Sequence, residues 1–141
     1  MILGIPDIRQ STDFSCGAAA IDAAARFFSR PLPVPLANAV QGMAPETVEA
    51  VLRGAGFRLL GGTMTVRDLR HLCNSSRPVL CPVSLHGGHW VVVRGVEGLR
   101  VFVQDPLTGP AEYSARAFSA IWSADSSHGH AYRDYGLAVS V

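Results

Sequence analysis

A run of small, apolar residues sets the first constraint on this chain. Ala18 to Ser29 is dense in alanine. Ile21, Ala24, Ala25 and Phe28 fall on one face at helical spacing. The other faces carry mostly alanine, so neighbouring elements can approach closely. Such a helix has little polar surface to give to water and belongs in the middle of a core. Pro31, Pro33 and Pro35 follow at alternate positions, stop the helix and favour an extended path. The rest of the composition agrees with a packed core. Of 141 residues, 48% are hydrophobic and 16% charged, which suits one domain over 1–141 and argues against disorder.

Two further helices are expected before the chain changes character. One spans Pro45 to Gly54, with Thr47, Val48, Val51 and Leu52 carrying the period and Gly54-Ala55-Gly56 ending it. Another runs from near Thr65 to Cys73, with Thr65 and Asp68 spaced as a capping pair and Asn74-Ser75-Ser76 closing it. The second half reads as strand: Val79 to Leu85, His89 to Gly95, Arg100 to Gln104 and Gly136 to Val141. Val96-Glu97-Gly98-Leu99 looks like a tight hairpin turn. Val101 and Val103 alternate with Phe102 and Gln104, as a half-buried strand would. Helices first and an antiparallel sheet second make an α+β layout.

Charge and targeting signals remove several function classes. All 12 basic residues are Arg, balanced by 11 acids, for a formal net charge of +1. That leaves no electrostatic drive toward nucleic acid or anionic lipid. The apolar runs Val79 to Val83 and Trp90 to Val93 are far below the roughly 18 residues of a spanning helix. The N-terminus lacks a basic region and a long apolar run, so neither a signal peptide nor a membrane segment is expected, and the default location is cytoplasmic. Three cysteines, Cys16, Cys73 and Cys81, are an odd count, too sparse for a disulfide scaffold.

One of those thiols stands where chemistry is favoured. Cys16 sits at an expected helix start, where unpaired N–H groups and the positive helix end stabilise thiolate. A buried structural cysteine is the plainer alternative. A nucleophilic thiol needs a base. His89 follows Gly87-Gly88 and opens an apolar strand; the glycines clear its approach, or merely make a turn. Asp105 ends the next strand before Pro106, and a hairpin brings it near His89, where it could fix the imidazole tautomer. Its plainer reading is the start of an Asp-Pro turn. Gln10, in a polar loop, could join the Cys16 N–H as an oxyanion donor or be an ordinary loop residue.

Together these pieces resemble a known family. Gln10-Ser11-Thr12-Asp13-Phe14-Ser15-Cys16-Gly17-Ala18-Ala19, Arg77-Pro78-Val79-Leu80, Gly88-His89-Trp90-Val91-Val92-Val93 and Val103-Gln104-Asp105-Pro106-Leu107-Thr108-Gly109 are similar to segments of the C39 peptidases. These are papain-like cysteine proteases whose best-known members trim double-glycine leader peptides. The resemblance runs from about Ile5 to about Trp122. It implies a papain-like fold, with a helical N-terminal half packed on a C-terminal antiparallel sheet. It also implies a peptide or protein substrate, no cofactor, and the roles Cys16 nucleophile, His89 base and acid, Asp105 orienter and Gln10 oxyanion donor. Phe14, Gly88 and Trp90 are candidates for shaping the substrate cleft. Exporter-linked members carry a transmembrane and ATPase portion, and usually Asp before the cysteine. This sequence shows no such portion and has Ser15 there, so it resembles the stand-alone branch.

Three other readings compete. Cys73, Cys81, His86 and His89 are residue types that zinc accepts, but they lack a Cys-x2-Cys knuckle. Cys73 and Cys81 fit a core better, His71 a helix end, and His128 and His130 a solvated loop. Acyl transfer to an amine or thiol would use the same catalytic residues. A non-catalytic peptide-binding module would keep the cleft without the chemistry. Any protein partner is left undefined by the sequence.

Overall fold

The computed structural model describes residues 1–10, 16–32, 44–85, 88–125 and 131–141, with backbone alone at positions 16, 124, 125, 131 and 132. Helix α1 (Cys16–Phe27) is the expected central helix: Ala20, Ala24 and Ala25 are wholly buried and Ile21 and Ala23 nearly so. It packs on the centre of the sheet. Its polar positions Asp22 and Arg26 pair at 3.0 Å, one turn apart. Helix α2 (Pro45–Gly54) starts with proline at its first position, where no amide is needed, and buries Val48 and Leu52. Helix α3 (Val66–Asn74) begins with the expected box: the Thr65 hydroxyl accepts the Asp68 N–H, and the Asp68 carboxylate accepts the Thr65 N–H.

All three helices close in the same way. Ser29, Gly56 and Ser76 adopt left-handed φ of 57°, 91° and 60°. The next amide then reaches back five residues: Arg30 to the Ala25 carbonyl, Phe57 to Leu52 and Arg77 to Leu72. The part of the proline segment from Pro33 onward lies outside the described residues.

The sheet has six antiparallel strands, in the spatial order β1 (Arg58–Thr63), β8 (Tyr135–Ser140), β2 (Val79–Val83), β3 (His89–Glu97), β4 (Arg100–Asp105) and β5 (Gly109–Ser114). The expected strands appear as β2 (Val79–Val83), β3 (His89–Glu97), β4 (Arg100–Asp105) and β8 (Tyr135–Ser140). The β3–β4 hairpin narrows to a two-residue loop, Gly98-Leu99, with Gly98 at φ 59°. Central strands β2 and β3 are buried on both faces, apart from partly exposed Arg94 and exposed Glu97. Mixed helices and antiparallel sheet are therefore the architecture, as the layout implies. The separation into halves is less clean. Strand β1 (Arg58–Thr63) lies between helices in the chain and pairs with β8, while α4 (Ala115–Ile121) follows β5 (Gly109–Ser114). A small hairpin of β6 (Ser123–Asp125) and β7 (Ala131–Arg133) completes the fold.

Gln104 corrects the half-buried reading of β4, because it is 1% exposed. The first ten residues explain why. They form a strap across the sheet: the Leu3 N–H donates to the Arg94 carbonyl at 2.7 Å, and the Gln10 N–H to the Pro106 carbonyl at 2.8 Å. Gly95 leaves room for it. A Cβ there would lie 2.7 Å from the Met1 carbonyl oxygen.

Candidate active site

His89 is the first residue of β3 and Asp105 the last of β4. Their side chains are 3% and 2% exposed, and His89 Nε2 lies 2.6 Å from Asp105 Oδ1. A hairpin alone does not give this pairing. The last rungs Gly95↔Phe102, Val96↔Val101 and Glu97↔Arg100 set one register, but Val92↔Gln104 and Val93↔Val103 are shifted by one. Arg94 is the extra residue of a β-bulge. Continued without the bulge, the tip register would put Asp105 opposite Val92, on the other face from His89. The bulge puts it opposite Val91 instead, so Asp105, Val91 and His89 share a face.

The carboxylate is held from several sides. Its Oδ1 also accepts the Leu107 N–H at 2.8 Å. Burial on its own pushes the Asp105 carboxyl up. Hydrogen bonds from His89 and from the Leu107 and Thr108 amides, with the attraction to His89, outweigh it and leave the carboxyl below its ordinary value. An ionised Asp105 makes Nε2 the protonated nitrogen, so Nδ1 is the atom left to handle a second proton.

The other expected residues fall around this pair. Gly88 is exposed, at φ 114°, with open space where a Cβ would point. Gln10 is tied through its backbone to Pro106, next to Asp105. Cys16 opens α1, which packs against β3. Trp90 is 4% exposed, sits in the apolar core and alternates to the face opposite His89. Phe14, Gly87, His86, His128 and His130 lie outside the described residues.

The model of the Peptidase C39 family matches residues 5–126. The chain belongs to that family. A curated relative, described as a probable functional amyloid protease FapD of Pseudomonas aeruginosa, is 28% identical over 130 residues, covering 82% of this chain and 56% of that protein. The chain thus spans little more than half the length of that relative. Among solved structures, a double-glycine-motif protease from an AMS/PCAT transporter, in complex with its leader peptide, is similar with a TM-score of 0.76 and 18% identity, covering 98% of this chain and 92% of that one. The peptidase domain of Streptococcus ComA gives 0.72 at 13% identity, covering 94% and 96%. A putative C39-like peptidase from Bacillus anthracis gives 0.75 at 12%, covering 99% and 96%. These structures share the papain-like fold with this C39 domain.

Within the C39 domain the other two thiols are packed away. Cys73 on α3 and Cys81 on β2 are fully buried. Burial pushes the Cys73 thiol up to about 12 and Cys81 well above its ordinary range. Among the described residues no three His, Cys, Asp or Glu side chains converge on a metal position. His71 lies in the last turn of α3. Among the described residues no helix is long and apolar enough to cross a membrane.

Some residues that shape the site carry no local signal in the sequence. Arg94 makes the bulge, and Asp7 accepts a hydrogen bond from Gln104 at 2.5 Å. Gly95, a glycine inside a strand between Arg94 and Val96, is a signal in the sequence for the close approach of the strap there.

Proposed function

We propose that this C39 domain hydrolyses peptide bonds with Cys16 as nucleophile, His89 as base and acid, Asp105 as orienter and Gln10 as oxyanion donor. The observation that carries the reading is the buried 2.6 Å contact between His89 and Asp105 at the mouth of β3. A buried imidazole held at Nε2 by an ionised carboxylate presents Nδ1 in a fixed direction, as a general base requires.

The chemistry follows from these positions. Cys16 begins α1, and the amides and dipole of a helix start favour its thiolate. The Cys16 thiol gives its proton to His89 Nδ1, and the thiolate attacks the substrate carbonyl carbon. The oxyanion that forms accepts hydrogen bonds from the Cys16 N–H and the Gln10 side-chain amide. The imidazolium of His89 protonates the leaving amine as the C–N bond breaks. His89 then removes a proton from water, which attacks the thioester and releases the acid. Asp105 holds the ring in one tautomer throughout. The open space at Gly88 suits an extended peptide backbone passing the histidine. A working thiolate also calls for a reducing compartment such as the cytoplasm.

The test is incubation of wild type and Cys16→Ala with a proteome-derived peptide library, read by mass spectrometry for new termini. Wild type produces cleavage products and the variant, folded to the same extent, produces none above background. Equal cleavage by Cys16→Ala refutes the assignment.

A further inference from the structure

The least expected group near the site is the side chain of Gln104. It is 1% exposed on β4 and spends a buried amide where an apolar residue would pack as well. Its Nε2 donates to Asp7 Oδ1 at 2.5 Å. Asp7 also accepts from Arg9 Nε at 2.7 Å and from Arg9 Nη2 at 3.2 Å. The Arg9 guanidinium in turn fills the space before Gly109, where a Cβ would collide with it. One residue later the Gln10 N–H is fastened to the Pro106 carbonyl at 2.8 Å. Strand alternation puts Gln104 and Asp105 on opposite faces of β4. Two adjacent residues therefore hold different parts of the site: Asp105 holds His89, and Gln104 holds the strap that ends in Gln10.

We propose that Gln104 and Asp7 are positioning residues for the oxyanion donor: the Gln104–Asp7 latch, with the Pro106 carbonyl, fixes Gln10 at the corner that carries Asp105. This rests on the oxyanion role given to Gln10 above. The strap is a poor support for a catalytic group without a latch, since its first ten residues contain no helix or strand of their own. An oxyanion donor acts only within a few tenths of an ångström of its correct place, so tethering it should appear in kcat. The Asp7 side chain is about half exposed, so replacing it opens no cavity in the core and removes only its hydrogen bonds to Gln104 and Arg9.

Gln104→Leu, Asp7→Ala, Asp7→Asn and Gln10→Ala are compared for kcat and KM on a fluorogenic peptide carrying a sequence that wild type cleaves in the peptide library, and for amide exchange at Gln10. The expected result is a fall in kcat of about tenfold for Gln104→Leu and Asp7→Ala, with KM little changed and faster Gln10 exchange. Asp7→Asn keeps an acceptor oxygen and recovers most of the loss. In a Gln10→Ala background Gln104→Leu has no further effect, because the latch has nothing left to position. If Gln104→Leu unfolds the protein, the exposed Asp7→Ala carries the same test. Gln10→Ala lowering kcat while both latch variants match wild type overturns the latch alone. Latch and Gln10 effects that simply add overturn it too. Gln10→Ala with wild-type kcat overturns the oxyanion reading and the latch with it.

Discussion

Removing the Asp105 carboxylate separates orientation of His89 from burial of a charge. The carboxylate is 2% exposed and accepts from His89 and from the Leu107 amide. Asp105→Ala leaves the buried Nε2–H and the loop amides without an acceptor. Breaking one partner of such a buried pair costs about 3–5 kcal/mol. For a chain of this length that lowers Tm by roughly 10–15 °C. Asp105→Asn keeps Oδ1 as an acceptor and loses only the ionic share, about 1–2 kcal/mol. Urea unfolding at several pH values measures both variants. The sign follows from the lowered carboxyl. Below its folded pKa, which lies under the ordinary 3.8, Asp105 is protonated in folded and unfolded chain alike and its ionic contribution is gone. Above 3.8 that contribution is fully present. The gap between wild type and Asp105→Asn should therefore close as the pH falls below 3.8 and through the lowered folded pKa. Equal losses for Ala and Asn, or a gap that persists unchanged below the folded pKa, would refute the reasoning.

Three other outcomes are expected. In the folded protein at neutral pH, iodoacetamide should label Cys16 alone, because burial holds Cys73 near 12 and Cys81 higher; labelling of all three at equal rates, followed by peptide mapping, would contradict this. Gly95→Ala should displace the strap, since its Cβ would lie 2.7 Å from the Met1 carbonyl oxygen; the cost is about 1–3 kcal/mol, with faster amide exchange at Leu3. Thr65→Ala removes half of the capping box on α3 and should lower stability by about 1 kcal/mol in chemical denaturation.

The elements that were legible in the sequence are those whose signals are local. The alanine-rich segment, the Thr65–Asp68 cap and the valine-rich strands each carry their own instruction. Strand β1 was missed because Arg58-Leu59-Leu60-Gly61-Gly62-Thr63 has no alternation; β8, far along the chain, makes it a strand by pairing. Strand β5 contains Gly109 and Pro110, poor strand formers that an edge position tolerates.

The same division runs through the site. The sequence by itself determined which groups are present: a cysteine at a helix start, a histidine at a strand start, an aspartate before proline and a glutamine upstream. It also determined that the Ala-rich helix is mostly buried, because apart from Asp22 and Arg26 it offers water little polar surface. Only the tertiary structure decided that His89 and Asp105 face each other. Side chains alternate with period two, and the bulge at Arg94 reverses that alternation between the hairpin tip and the site. A bulge depends on what the neighbouring strands and the strap demand, and Leu3 caps its free carbonyl from the other end of the chain. The burial of Gln104 has the same origin: Asp7, 97 residues away, supplies its acceptor.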